Sequence, residues 1–238
     1  MKRIIKMVLC NILLVPFIWI RLCYHAAHPD KYTEEEHFKL FRYIVKRANI
    51  GGNVEIEVHG QEKIPEKNGF MMTPNHQGLY DVLAMIDTCP KPFGMVYKKE
   101  LAGIPLIKQV AICTKSFMMD REDIRQSMQI ILDVTKELKG GRNYLIFPEG
   151  TRSKNGNQVG SFKGGSFKAA TKAKCPIVPV AIIDGFKPFD SHTLEKTKVQ
   201  VHYLDPLTYE DYKDLKTNEI AELVQNRIQE TINANTVE

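Results

Sequence analysis

Two hydrophobic periods take turns along this chain. Val54, Ile56 and Val58 alternate with Glu55, Glu57 and His59, the period of two that marks a half-exposed strand, and Gly60 closes it. Short apolar runs recur at 69–73, 93–97, 110–114, 143–147, 177–183 and 198–204, which predicts about seven strands in all. Between most of them the period is helical. The clearest case runs from Asp123 to Leu138, with Ile124, Met128, Ile131, Leu132 and Leu138 on the apolar positions and Gly140-Gly141 as the stop. Strands alternating with helices predict an α/β domain with a largely buried sheet flanked by helices. A polar amphipathic helix from about Lys216 closes the chain.

The first fifty residues read differently. Ile4 to Ile20 are mostly apolar and hold the only Trp, Trp19, but Lys6, Asn11 and Pro16 interrupt them, and Lys2, Arg3 and Arg21 flank them. At 1.5 Å per residue this stretch reaches about 25 Å, short of a hydrocarbon core of roughly 30 Å. Lying in one leaflet, with Trp19 and the basic residues at headgroup level, is easier than spanning. A signal peptide cleaved near Ala26-Ala27 is the competing reading, weakened by the polar interruptions. Thr33-Glu34-Glu35-Glu36 is a capping box that opens a helix ending before Gly51-Gly52. Its stripe of Phe38, Phe41, Ile44, Val45 and Ala48 fits either a core contact or a second membrane-facing helix. The expected division is a membrane-associated helical segment, residues 1–52, followed by a single α/β domain, residues 53–238.

Composition narrows the class. At 238 residues and 43% hydrophobic, the chain can bury a full core. Its five cysteines show neither zinc-ligand spacing nor a disulfide framework, so no metal is expected and a reducing compartment is. The net charge of +5 is concentrated: residues 98–174 hold 15 Lys and Arg against 7 Asp and Glu. Such a region suits an anionic membrane surface or a phosphorylated substrate. It carries no nucleic-acid-binding motif.

The candidate chemistry begins where Phe70-Met71-Met72-Thr73 delivers Pro74-Asn75-His76 and, four residues on, Asp81. A strand ending there and entering a helix near Gly78-Leu79 puts His76 at the rim and Asp81 in the first helical turn. An imidazole held by a carboxylate is a general base poised near neutral pH. Three further segments fall at expected strand ends: Met118-Met119-Asp120-Arg121, then Phe147-Pro148-Glu149-Gly150-Thr151-Arg152-Ser153 with its Gly-rich basic continuation through Phe162-Lys163-Gly164-Gly165, then Ile177-Val178-Pro179-Val180-Ala181. Gly150-Thr151-Arg152 suits a phosphate: glycine admits close approach, threonine offers a hydroxyl, and arginine a bidentate fork. Arg121 closes the other side. Glu149 would repel a phosphate, and so orients an arginine or accepts from a glycerol hydroxyl. A covalent hydrolase would need Ser161 or Ser166 as nucleophile, and no G-x-S-x-G elbow is present.

In their order, His76-x4-Asp81, Asp120-Arg121, Phe147 to Ser153 and Val178-Pro179-Val180 closely resemble the four motifs of the glycerolipid acyltransferase family. The resemblance covers roughly residues 50–205 and is nearest to the branch that acylates lysophosphatidic acid. One departure is that Lys115 stands where the family usually has a glycine, five residues before Asp120. The resemblance implies His76 as general base and Asp81 as its orienting partner. It implies Arg121, Glu149, Gly150, Thr151 and Arg152 as holding the acceptor headgroup, and the Pro179 segment as shaping an acyl channel. The donor would be an acyl thioester, acyl-CoA or acyl-ACP, with no cofactor, and the product phosphatidic acid. Membrane lipids would be partners, and the location the cytoplasmic face of the cell membrane, peripheral or monotopic. A catalytically silent lipid-binding member, or one using glycerol-3-phosphate or another lysophospholipid, is the alternative.

Overall fold

The structure is a computed structural model that describes residues 2–120, 122–191 and 193–236. Its helices, in chain order, are α1 (Lys2–Cys10), α2 (Val15–Ala27), α3 (Glu34–Gly52), α4 (Tyr80–Thr88), α5 (Ile107–Cys113), α6 (Ile124–Lys139), α7 (Lys168–Ala173), α8 (Lys187–Asp190), α9 (Tyr209–Tyr212) and α10 (Thr217–Asn235). Its strands are β1 (Val54–His59), β2 (Met71–Pro74), β3 (Gly94–Lys98), β4 (Phe117–Met119), β5 (Tyr144–Leu145), β6 (Ile177–Ile183) and β7 (Thr197–Tyr203). They form one seven-stranded sheet in the order β1-β7-β6-β2-β5-β3-β4. Every pairing is parallel except that of β6 with β7.

The expected α/β architecture is present, and burial explains the sequence pattern. All residues of β2, β5 and β6 are buried, because helices cover both faces of the central strands. One core, under α3 and α4, gathers Phe38, Phe41, Phe70, Met72, Tyr80 and Val180; the other, under α6, α7 and α10, gathers Met71, Val134, Tyr144, Ile177, Ile220 and Ile228. The stripe on α3 is therefore a core contact.

Two expectations are corrected. Residues 110–114 belong mainly to α5 rather than to a strand, and the edge strand is β4 further on. The intervening turn sets Lys115 at φ +49°, a left-handed conformation natural to glycine; lysine holds the same backbone shape. Gly51-Gly52 do not stop α3 but fill its last turn, with Asn53 as the left-handed cap at φ +58°. Their task is contact with α1: a Cβ at Gly51 would press on Cys10 and Asn11, and one at Gly52 would overlap Met7.

The N-terminal segment is built into the domain. Asn11 and Pro16 break the apolar stretch into α1 and α2, which meet at 96°. The Asn11 amide donates to Met7 O and to Arg47 O on α3 (2.8 and 3.0 Å). Arg3, expected at headgroup level, is instead 1% exposed. Its guanidinium donates to the carbonyls of Gly52 (2.6 Å), Asn53 (3.3 Å), Thr193 (2.9 Å) and Glu195 (3.0 Å), and to the Thr197 hydroxyl (2.7 Å). The other faces of α1 and α2 and the turn between them are apolar and open: Leu9, Ile12, Leu13, Phe17 and Ile20 are all more than half exposed.

Candidate active site

The site lies at the carboxyl ends of β2 and β6, where an α/β sheet gathers its loops. Pro74 ends β2 alongside Val180. Asn75 then substitutes for one more strand residue: its amide donates to Ile182 O (2.9 Å) and its carbonyl accepts from Ile182 N (2.7 Å). With the chain held there, the next residue is turned out toward the rim. The His76 side chain is 19% exposed.

Asp81, in the first turn of α4, is fully buried. Its Oδ2 accepts from His76 Nδ1 (2.7 Å) and from the backbone amides of Gln77 (2.6 Å) and Gly78 (2.8 Å). Since a carboxylate only accepts, Nδ1 carries the proton and Nε2 offers its lone pair. A Cβ on Gly185 would overlap Asp81 Oδ1, so the carboxylate is wedged as well as bonded. Phe147 stacks on the imidazole with centroids 4.1 Å apart.

Glu149 is 3% exposed and turned inward. Its Oε1 accepts from the His76 amide (2.7 Å) and its Oε2 from the Gly160 amide (3.1 Å). Burial raises its pKa, and those two amides oppose the shift. Glu149 therefore orients the backbone at His76, and neither an arginine nor a substrate hydroxyl is needed to satisfy it. Gly150 turns the chain at φ +71°, with the Lys163 side chain over its Cα. Thr151 and Arg152 follow, exposed to solvent. Together with Gln77, Ser153, Lys154, Gly156, Phe186 and Asp190 they line a cavity of about 360 Å³, a size suited to a small headgroup. Arg121 lies outside the described residues. Pro179 pairs with Thr73 inside β6, every residue of which is buried, so it shapes the sheet beneath the site rather than an open channel.

The structure also brings in residues that sequence reading passed over. Gln77, buried next to the base, accepts from Gly185 N (2.7 Å) and donates to Gly156 O (3.2 Å) and Asn157 Oδ1 (2.9 Å). Its signal was its place inside the His-x4-Asp spacing. Lys154 adds positive charge beside Arg152, where only the basic character of the loop pointed to it, and Lys163, named in the basic continuation, lies by Gly150. Among the described residues no serine or cysteine side chain, Ser161 and Ser166 included, hydrogen-bonds to His76.

Known proteins resemble this chain in sequence and in fold. A 1-acyl-sn-glycerol-3-phosphate acyltransferase of Borreliella burgdorferi is 33% identical over 145 residues, 61% of this chain and 58% of that protein. One from Helicobacter pylori is 33% identical over 126 residues, 53% of each. The chain thus matches little more than half the length of these two relatives. One from Salmonella typhimurium is 27% identical over 220 residues, 92% of this chain and 87% of that protein. In fold, the crystal structure of the 1-acyl-sn-glycerophosphate acyltransferase PlsC from Thermotoga maritima superposes with a TM-score of 0.77 at 22% identity, covering 100% of this chain and 99% of that one. The family model described as Acyltransferase matches residues 55–183. That match takes in more than half of the sequence and both members of the His76–Asp81 pair, and the chain accordingly belongs to the acyltransferase family.

Proposed function

We propose that this protein transfers a fatty acyl group from an acyl thioester, acyl-CoA or acyl-ACP, to the sn-2 hydroxyl of 1-acyl-sn-glycerol-3-phosphate, giving phosphatidic acid. The observation that carries the reading is the His76–Asp81 pair at the rim, beside a cavity bearing Thr151, Arg152 and Lys154. The names of the relatives support the same acceptor. The Nε2 of His76 takes the hydroxyl proton as oxygen attacks the thioester carbonyl, and Asp81 balances the charge that develops on the imidazole. The C–S bond breaks, the imidazolium returns the proton to the departing thiolate, and no acyl-enzyme intervenes. The deciding experiment offers purified protein a labelled acyl thioester and a panel of acceptors, with products read by mass spectrometry. Phosphatidic acid from lysophosphatidic acid is the expected product. Preference for glycerol-3-phosphate or another lysophospholipid would move the acceptor, and no acylation at all would favour a lipid-binding protein.

Arg152 holds the phosphate in this reading. A charge-assisted bidentate contact is worth about 1.5 to 3 kcal/mol, roughly one to two decades in affinity. Arg152→Ala should raise the acceptor KM by that factor and leave the thioester KM nearly unchanged. Equal effects on both would make the loop's task structural.

We also propose that the protein sits monotopically on the cytoplasmic face of the membrane, through the open faces of α1 and α2. No single helix among the described residues is long and apolar enough to cross a bilayer. Spanning would also favour an inside N-terminus, carrying the domain away from its thioester donor. Leu13 and Phe17, 82% and 72% exposed, can be changed without disturbing a core. Leu13→Glu with Phe17→Glu should abolish sedimentation with lipid vesicles at unchanged Tm. Retained binding would remove these helices from the contact.

A further inference from the structure

The loop from Glu149 to Gly160, which carries Thr151, Arg152 and Lys154, is wrapped around His76 and Gln77. Three contacts hold it. The Glu149 carboxylate bridges the amides of His76 and Gly160. The Ser153 amide donates to His76 O at 2.7 Å. The Gln77 side chain bonds Gly156 and Asn157. One carboxylate thus closes the loop on itself and fixes the backbone of the general base. It can do so only because the far end of the loop is bare: a Cβ on Gly160 would overlap Glu149 Oε2 and press on its Cδ. The requirement at Gly160 is for space, since its backbone is not in the left-handed region.

We infer that Gly160 is a positioning residue for His76, acting through Glu149, so that the headgroup loop and the general base move as one body. This goes beyond acceptor recognition by giving the loop a part in the chemical step, and it rests on the reading of His76 as the base. A methyl group at residue 160 drives the carboxylate away from its two amides, and the His76 backbone loses its strongest tether. Misplacing a catalytic group by about 1 Å costs up to a hundredfold in rate.

The test compares Gly160→Ala with Gly165→Ala, where a Cβ meets nothing within 4 Å. Glu149→Gln, whose amide can accept from only one of the two N–H groups, completes the set. Gly160→Ala should lower kcat about tenfold to a hundredfold, while Gly165→Ala stays within about twofold. Combined with Glu149→Gln, Gly160→Ala should add no further loss, because both act through one contact. The His76 imidazole signals in NMR of labelled protein should shift in both loop variants and not in Gly165→Ala. Full additivity, or an unchanged kcat for folded Gly160→Ala, would overturn the inference. Should that variant not fold, Glu149→Gln decides alone: unshifted His76 signals at undiminished kcat reject it. Failure of the base reading shows separately, as activity retained by His76→Ala.

Discussion

His76→Ala should lose at least about a hundredfold in kcat with the fold intact. An alcohol is a poor nucleophile at neutral pH, and removing its proton as the carbon–oxygen bond forms is worth roughly two to four decades. The Nδ1 proton is committed to Asp81, so the lone pair on Nε2 is the one available at the rim. Asp81→Asn should cost nearly as much, because an amide at that site can donate to Nδ1 and so favours the wrong tautomer. It also turns an acceptor of two backbone amides into a poorer one, and some stability should go with the rate. The two losses should not add, since the pair works as a unit. Steady-state kinetics on the two single variants and the double one check this. Incubation with donor alone that yields a stable acyl-serine or acyl-cysteine would replace direct attack by a covalent route.

Arg3→Ala should destabilise the protein by roughly 3 to 5 kcal/mol, a large share of the 5 to 15 kcal/mol that holds a typical domain together. Its guanidinium ties the last turn of α3 to the segment entering β7, and deletion cuts that tie and takes the donor from the buried Gly52 carbonyl. Lysine should not rescue it, since one ammonium cannot bond to both sides of the fork's reach. Urea denaturation measures the loss, and a change under about 1 kcal/mol would show that the carbonyls find other partners. For the same reason, removing residues 1–30 would test stability rather than membrane contact.

The sheet and the pair at its rim were legible because local rules govern them. Fully apolar runs such as Ile177–Ile183 become buried strands, and His76 and Asp81 are close enough in sequence for one turn to join them. At 110–114, Val-Ala-Ile-Cys-Thr satisfies helix and strand patterns alike over so short a run, and packing decides. Gly51-Gly52 carry the composition of a stop signal, yet their meaning depends on α1, forty residues away. Glu149 was legible as important and not as what it is. Its partners are backbone amides at residues 76 and 160, groups that every residue but proline possesses and that leave no mark in a sequence.

The right-angled meeting of α1 and α2 has a consequence for the membrane itself. Helices of 9 and 13 residues reach about 13 and 20 Å, each short of a bilayer core about 30 Å thick, and the monotopic seating proposed above lays the pair, bent by 96°, along the near half. On the seating proposed above, the acceptor is drawn from that half and the two-chain product is returned to it. On that seating, bilayer area added by the proposed reaction is one-sided. The opposite half can keep pace only as lipid is carried across, and the rate of that transfer sets how far the two surfaces fall out of balance.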